Sequence, residues 1–233
     1  MEPGDPAAVE QLFDAVAPSY DRLNDLLSLG LHRHWKRRLL SMLRPKPGEQ
    51  WLDLCCGTGD LALLLARAVR PGGSVIGVDS AAAPLRCAEQ RSRQESWLPL
   101  TFRKADALQT GLPDASADGV VMAYGLRNLA DPARGLAEIR RVLRPGGRAG
   151  ILDFNRLDPE VPAARFQRLY LRRIVVPVAS AAGLQEQYAY LEKSLQRFPC
   201  GQQQEGLARS AGFKEATHHT ISADQMGILM LQG

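Results

Sequence analysis

Residues 50–60, Gln-Trp-Leu-Asp-Leu-Cys-Cys-Gly-Thr-Gly-Asp, restrict what this chain can fold into more than any other stretch. An apolar run breaks into a Gly57-Thr58-Gly59 turn and then takes up helical spacing over residues 61–69. That pattern reads as strand, tight loop and helix, the opening unit of a nucleotide-binding α/β sheet. Residues 74–79 repeat the logic with a second buried strand that ends in Asp79. A carboxylate at that position can accept hydrogen bonds from both hydroxyls of a ribose.

The alternation continues. A helix is expected over residues 84–96, a third strand over 100–106 ending in Asp106, a fourth over 119–123 ending in Ala123, and a helix over 132–143. The run Arg144-Pro145-Gly146-Gly147 then reads as a helix stop before a fifth strand at 148–154. Strands alternating with helices imply a mostly parallel sheet covered on both faces, a Rossmann-like arrangement. Ahead of it, residues 6–16 and 20–43 carry apolar residues at helical spacing and end in a basic run with His32, Arg33, His34, Lys36, Arg37, Arg38 and Arg44. Behind it, residues from about 157 to 211 read as a helical insertion, and 213–221 and 225–231 as two closing strands, seven in all. The expected division is a helical lid at 1–47 and a sheet domain at 48–233 carrying that insertion. With 233 residues and 45% hydrophobic content, one core suffices.

Two ligand classes fit the first loop, because Gly57-x-Gly59-x-x-Ala62 followed by an acid about twenty residues on also matches a dinucleotide fingerprint. The charge of Asp60 at the helix start argues against a pyrophosphate there. S-adenosylmethionine has no phosphate and two cationic centres, which suit Asp53, Asp60 and, for the adenine amino group, Asp106. A nicotinamide dehydrogenase is the enzyme alternative, and a non-catalytic basic module the other. The net charge of +4 supports a membrane surface or nucleic acid only if clustered, and no aromatic-interleaved basic motif is present. Cys55 and Cys56 are adjacent while Cys87 and Cys200 lie far off, which gives neither a disulfide framework nor metal spacing. No run reaches the roughly 18 apolar residues of a membrane span. The opening residues, acidic and proline-rich, differ from a signal peptide, so a cytoplasmic protein is expected, in peripheral contact with a membrane through its basic helices.

Residues 13–17, Tyr20-Asp21-Arg22-Leu23-Asn24, Ser28-Leu29-Gly30-Leu31-His32 and Trp35-Lys36-Arg37, together with Gly125-Leu126-Arg127-Asn128 and residues 141–147, resemble the two signatures of the quinone-biosynthesis C-methyltransferases of ubiquinone and menaquinone formation. Segments at 170–171, 174–179 and 197–199 most resemble its cyanobacterial branch, which methylates a 2-phytyl-1,4-naphthoquinone. Leu23 stands where the family often has methionine, and Cys55-Cys56 where many methyltransferases carry another glycine. The resemblance implies a class I methyltransferase fold and transfer of a methyl group from S-adenosylmethionine to a ring carbon of a reduced, prenylated naphthoquinol, without a metal. Demethylphylloquinol, demethylmenaquinol and a ubiquinone precursor are the acceptors it leaves open. It implies that Gly57, Thr58, Gly59, Asp79, Asp106 and Ala107 hold the donor with Asp53 and Ala123 nearby. Tyr20, Arg127, Asn128 and Asp153 would serve the chemistry at the acceptor, and Asp21, Asn24 and His32 would bind it. The partner implied is a lipid-tailed quinol and no nucleic acid.

Overall fold

The computed structural model describes residues 30–157 and 185–233, with positions 5, 9–11, 14, 25, 28, 160, 161, 169 and 173 besides. The expected residues Tyr20, Asp21 and Asn24, and most of the first half of the expected insertion, lie outside the described residues.

Seven strands form one sheet: β1 (Gln50–Leu54), β2 (Ser74–Asp79), β3 (Leu100–Lys104), β4 (Ala117–Ala123), β5 (Leu143–Phe154), β6 (Glu215–Ile221) and β7 (Met226–Gln232). Their spatial order is β3-β2-β1-β4-β5-β7-β6. The first five pair in parallel, whereas β7 inserts antiparallel between β5 and β6. Helices α1 (Leu31–Leu43), α2 (Asp60–Ala68), α3 (Ala82–Arg93), α4 (Pro132–Val142), α5 (Gln185–Arg197) and α6 (Gly201–Ser210) complete the described elements.

Alternate residues of each central strand feed two separate cores, as the pleat requires. Leu52, Leu54, Val120, Met122 and Ile151 face α4 residues Leu136 and Ile139 on one side. Trp51, Val75, Val121 and Leu152 face Leu39, Leu43, Leu61 and Leu65 of α1 and α2 on the other. The fully buried strands read as continuous apolar runs for this reason, and the sequence pattern located them well.

One break was misread. The Arg144-Pro145-Gly146-Gly147 run does not separate helix from strand: β5 already starts at Leu143, opposite Ala117, and pairing resumes with Arg148 opposite Gly119 after a bulge. Proline and glycine sit comfortably at such a bulge, where no regular ladder bond is required.

Helix α1 buries His32, Trp35, Lys36, Leu39 and Leu43, one stripe at helical spacing. Leu39 and Leu43 lie against Gly150 in the middle of β5. Arg148, near the amino end of the regular part of β5, donates to the carbonyls of Leu43 at 2.6 Å and Arg44 at 2.9 Å. The last turn of α1 is thereby anchored at the amino ends of the strands, and its first turns, with His32 and Lys36, rise toward the carboxyl ends. Trp35 donates from Nε1 to Ser222 Oγ at 2.5 Å, fixing the same helix to the β6–β7 turn.

Candidate functional site

A cavity of about 450 Å³ opens at the carboxyl ends of β1 to β4. The sheet order reverses between β1 and β4, which is where open α/β sheets bind ligands. Its volume falls within the range of small-molecule sites, roughly 300 to 1,000 Å³.

The donor side is built by three loops. Cys55 and Gly57 follow β1, Asp79 and Ser80 close β2, and Asp106, Ala107 and Leu108 follow β3. Gly57 has φ +53 and Gly59 φ +84, left-handed turns that suit residues without a side chain. The two glycines differ in what lies beside them. A Cβ on Gly57 would meet nothing within 4 Å, and the residue lines the cavity. On Gly59 it would meet Ala88 Cβ at 3.1 Å and Phe102 Cζ at 3.2 Å. The first glycine leaves room for a ligand; the second lets the loop pack onto α3 and β3.

Asp79 accepts from the backbone N–H of Gly57 at 2.8 Å and of Ala81 at 2.9 Å. Burial pushes its pKa up, and those two N–H groups oppose the rise. Asp106 accepts from Leu108 N–H at 2.9 Å. Ala123, Tyr124, Gly125 and Asn128 form the far wall after β4. Val9 and Glu10 reach the rim, where Glu10 pairs with Lys104 at 2.6 Å, and Asp14 accepts from Ala83 N–H at 2.7 Å in the first turn of α3. Glu10, Asp14 and Ser80 were not singled out in the sequence. Surface carboxylates in an amphipathic segment give no signal of what they will cap.

Asp53 does not line the cavity. It lies inside β1, 1% exposed, with Oδ2 lacking any partner. Burial pushes its pKa up to about 8, with Lys36 the strongest influence pulling it down. Asp60 is a correction to the charge argument. Its carboxylate is engaged by Lys36 at 2.8 Å and Arg91 at 2.6 Å, and it does not face the cavity. Against burial, those two cations hold its pKa at about 2. With two positive charges around one negative, this corner carries no net repulsion for a phosphate, so Asp60 cannot exclude a dinucleotide. Thr58 is buried in the same loop, and its carbonyl accepts from Arg91 at 2.8 Å.

Across the cavity the charged residues satisfy one another. Arg127 lies in a single 3-10 turn, Leu126–Asn128, and its Nη1 pairs with Asp153 Oδ1 at 2.8 Å. Its backbone N–H donates to the other Asp153 oxygen at 3.2 Å, and the Tyr124 carbonyl accepts from Arg127 Nη1 and Asn128 Nδ2, both at 2.8 Å. Because a carbonyl can accept only from the amide nitrogen, Asn128 is held with Oδ1 turned away, buried and without a partner. Arg127 Nε is likewise without a partner. Neither Arg127 nor Asp153 lines the cavity; of the expected acceptor residues described here, Asn128 alone does. His32 is buried, with Nε2 at 2.8 Å from Asp25 Oδ1, and the bond from His32 lowers the Asp25 pKa, with Arg33 adding to it.

Cys55 occupies a left-handed turn with φ +57. Gly125 is its complement: a Cβ there would come within 2.8 Å of Cys55 Cβ. Burial first, then the neighbouring carboxylates, raise the Cys55 thiol pKa well above its ordinary value.

The model of the ubiE/COQ5 methyltransferase family matches residues 2–230. The chain belongs to that family. It is therefore an S-adenosylmethionine-dependent methyltransferase, which decides between the ligand classes where Asp60 could not. A 2-phytyl-1,4-naphtoquinone methyltransferase of Synechococcus elongatus is 48% identical over 229 residues, covering 97% of each chain. The chloroplastic 2-phytyl-1,4-beta-naphthoquinone methyltransferase of Arabidopsis thaliana is 41% identical over 222 residues, covering 94% of this chain and 85% of the relative. Among solved structures, a SAM-dependent methyltransferase from Aquifex aeolicus superposes with a TM-score of 0.63 at 17% identity, covering 98% of both chains, and confirms the fold. The cavity suits the family's donor: an open glycine for its approach and the carboxylates of Asp79 and Asp106 after two strands.

Proposed function

We propose that this family member methylates a ring carbon of a reduced, prenylated naphthoquinol, with the phytyl-tailed compound as acceptor. The observation that carries this reading is near-full-length identity of 48% to a relative whose name specifies 2-phytyl-1,4-naphthoquinone.

S-adenosylmethionine supplies the electrophilic methyl group when bound. Asp79 would hold the ribose, Asp106 would receive the adenine amino group with Ala107 beside it, Gly57, Thr58 and Gly59 would shape the loop that receives the donor, and Ala123 would lie near it. Asp53 supplies negative charge behind that loop. On the acceptor side, a ring carbon becomes nucleophilic when the quinol hydroxyl gives its proton to water or a nearby carboxylate, and once the methyl is bonded the ring loses its C–H proton to restore the aromatic quinol, so groups that favour a phenolate accelerate the step. Arg127, paired with Asp153 just behind the cavity wall, contributes its positive charge to this, and its Nε–H has no protein partner. Asn128 Oδ1 accepts from the second hydroxyl and sets the ring's orientation. By the family resemblance, Tyr20, Asp21, Asn24 and His32 would be the residues that bind the acceptor.

A lipid-tailed acceptor must be met at a membrane. The exposed face of α1 carries Arg33, His34, Arg37 and Arg38 with no acidic residue, and Leu31 is exposed at its first turn. Among the described residues no helix is long and apolar enough to cross a bilayer. Peripheral contact with anionic lipid through this face follows, and co-sedimentation with phosphatidylglycerol vesicles, lost on Arg37→Glu/Arg38→Glu, checks it.

The test of the main reading is incubation with methyl-labelled donor and three acceptors under reducing conditions: 2-phytyl-1,4-naphthoquinol, demethylmenaquinol and a ubiquinone precursor. The label should appear on the naphthoquinol ring, fastest with the phytyl tail. Label on the benzenoid precursor alone would overturn the assignment.

A further inference from the structure

Of the lysine and arginine residues on α1, only Lys36 is buried. A buried ammonium must be paired, and a buried ion pair is a poor means of stabilising a fold, since apolar residues of similar volume often do as well or better. Its burial calls for another reason, and its surroundings supply one.

Lys36 Nζ lies 2.8 Å from Asp60 Oδ2. The other Asp60 oxygen receives Arg91 Nη2 at 2.6 Å, and the same guanidinium donates from Nη1 to the Thr58 carbonyl at 2.8 Å. Lys36 is in this way the end of a chain of contacts that pins the Thr58–Gly59–Asp60 turn beneath the donor. The same ammonium sits 6.0 Å from the centroid of the Tyr124 ring. Tyr124 lines the cavity in a left-handed conformation, φ +62, and its carbonyl holds both Arg127 and Asn128. One cation on the lid helix thus faces the donor loop and the loop that carries the acceptor groups. Asp53, with its unpartnered oxygen, feels the same charge.

We propose that Lys36 is a positioning residue that couples the two halves of the site, so that donor and naphthoquinone strengthen each other's binding through the Asp60 and Tyr124 contacts. This rests on the donor and acceptor reading given above. It also assigns the lid helix a role beyond cover: seating α1 sets both loops at once.

The test uses two ligands that do not react together, S-adenosylhomocysteine and oxidised 2-phytyl-1,4-naphthoquinone. Calorimetry gives the affinity for S-adenosylhomocysteine without and with saturating quinone, and the ratio is the coupling factor. In the wild-type protein the quinone should tighten binding by about 5- to 150-fold, the usual span of coupling between sites. Lys36→Met should bring that factor to within about twofold of one, and Lys36→Arg should keep most of it. Because the factor is a ratio within one protein, a general loss of stability does not move it. Tyr124→Leu, which leaves the Lys36–Asp60 pair in place, should lose the coupling as well and serves if Lys36→Met does not fold. A wild-type factor of one, or an undiminished factor in Lys36→Met or in Tyr124→Leu, overturns the proposal. No binding of S-adenosylhomocysteine to the wild-type protein would overturn the donor-site reading and this inference with it.

Discussion

On the β1–β3 side the cavity is lined by backbone turns and by carboxylates that take their hydrogen bonds from backbone N–H groups, whereas on the β4–β5 side the charged side chains are paired with one another. Asp79 is held by Gly57 and Ala81, and Asp106 by Leu108. Arg127 and Asp153 are about nine-tenths or more buried and hold each other. The β1–β3 side is therefore set by loop conformation, which these carboxylates help to hold. The β4–β5 side depends on charge balance, and removing one member of the Arg127–Asp153 pair leaves the other stranded in a low-dielectric setting.

The largest effect follows from that balance. Arg127→Leu or Asp153→Leu alone should destabilise the protein by about 3–5 kcal/mol, because each leaves an uncompensated buried charge. The double variant should recover most of this loss in chemical denaturation, yet turn over about 10² to 10³ times more slowly with donor affinity nearly intact. A double variant as unstable as the worse single change would show that the pair is not the balanced unit described.

On the opposite wall, Asp79→Ala should weaken donor binding by about 1.5–3 kcal/mol, the value of hydrogen bonds to a charged group. Calorimetry with S-adenosylhomocysteine reads it, and unchanged affinity would remove Asp79 from the donor site.

The two glycines of the same loop sharpen the contrast within the donor wall. Both substitutions incur roughly 1–2 kcal/mol for a side chain in a left-handed conformation. Gly57→Ala adds a methyl group to the cavity, so affinity should fall more than melting temperature. Gly59→Ala adds it against Ala88 and Phe102, so stability should fall further and donor affinity less. The reverse ranking would contradict the distinction between an open and a packed glycine.

The alternation of strands and helices was legible because buried parallel strands are continuous apolar runs punctuated by glycine, and Asp79 and Asp106 were found at their ends by the same reasoning. Asp60 was expected to face the ligand and instead faces Lys36 and Arg91, since a helix's first turn does not reveal which neighbours arrive from elsewhere. Lys36 reaches Asp60 across 24 positions and Arg91 reaches it across 31. In the sequence Lys36 is one of a basic run, most of it exposed, and only the seating of α1 on β5 turns that residue inward. The bulge at the start of β5 hid behind residues that more often end a helix.

A smaller effect concerns Asp53. Folding raises its pKa from 3.8 to about 8, so the folded state binds more protons than the unfolded state in between. Its contribution therefore disfavours folding progressively as pH rises from about 4 to about 8, and is constant above. Asp53→Asn should gain in melting temperature relative to wild type as pH goes from 6 to 8.5. A constant difference across that range would show that Asp53 is already ionised in the folded protein.

The central claim is that this family member methylates a carbon made nucleophilic by an adjacent phenolate. It is tested most directly by measuring methyl transfer to 2-phytyl-1,4-naphthoquinone held strictly oxidised and, in parallel, fully reduced, with labelled S-adenosylmethionine and product identified by mass spectrometry. The reduced acceptor should give ring-methylated product and the oxidised one essentially none, since its ring is electron-poor and has no hydroxyl to deprotonate. Equal rates on the two would contradict the mechanism.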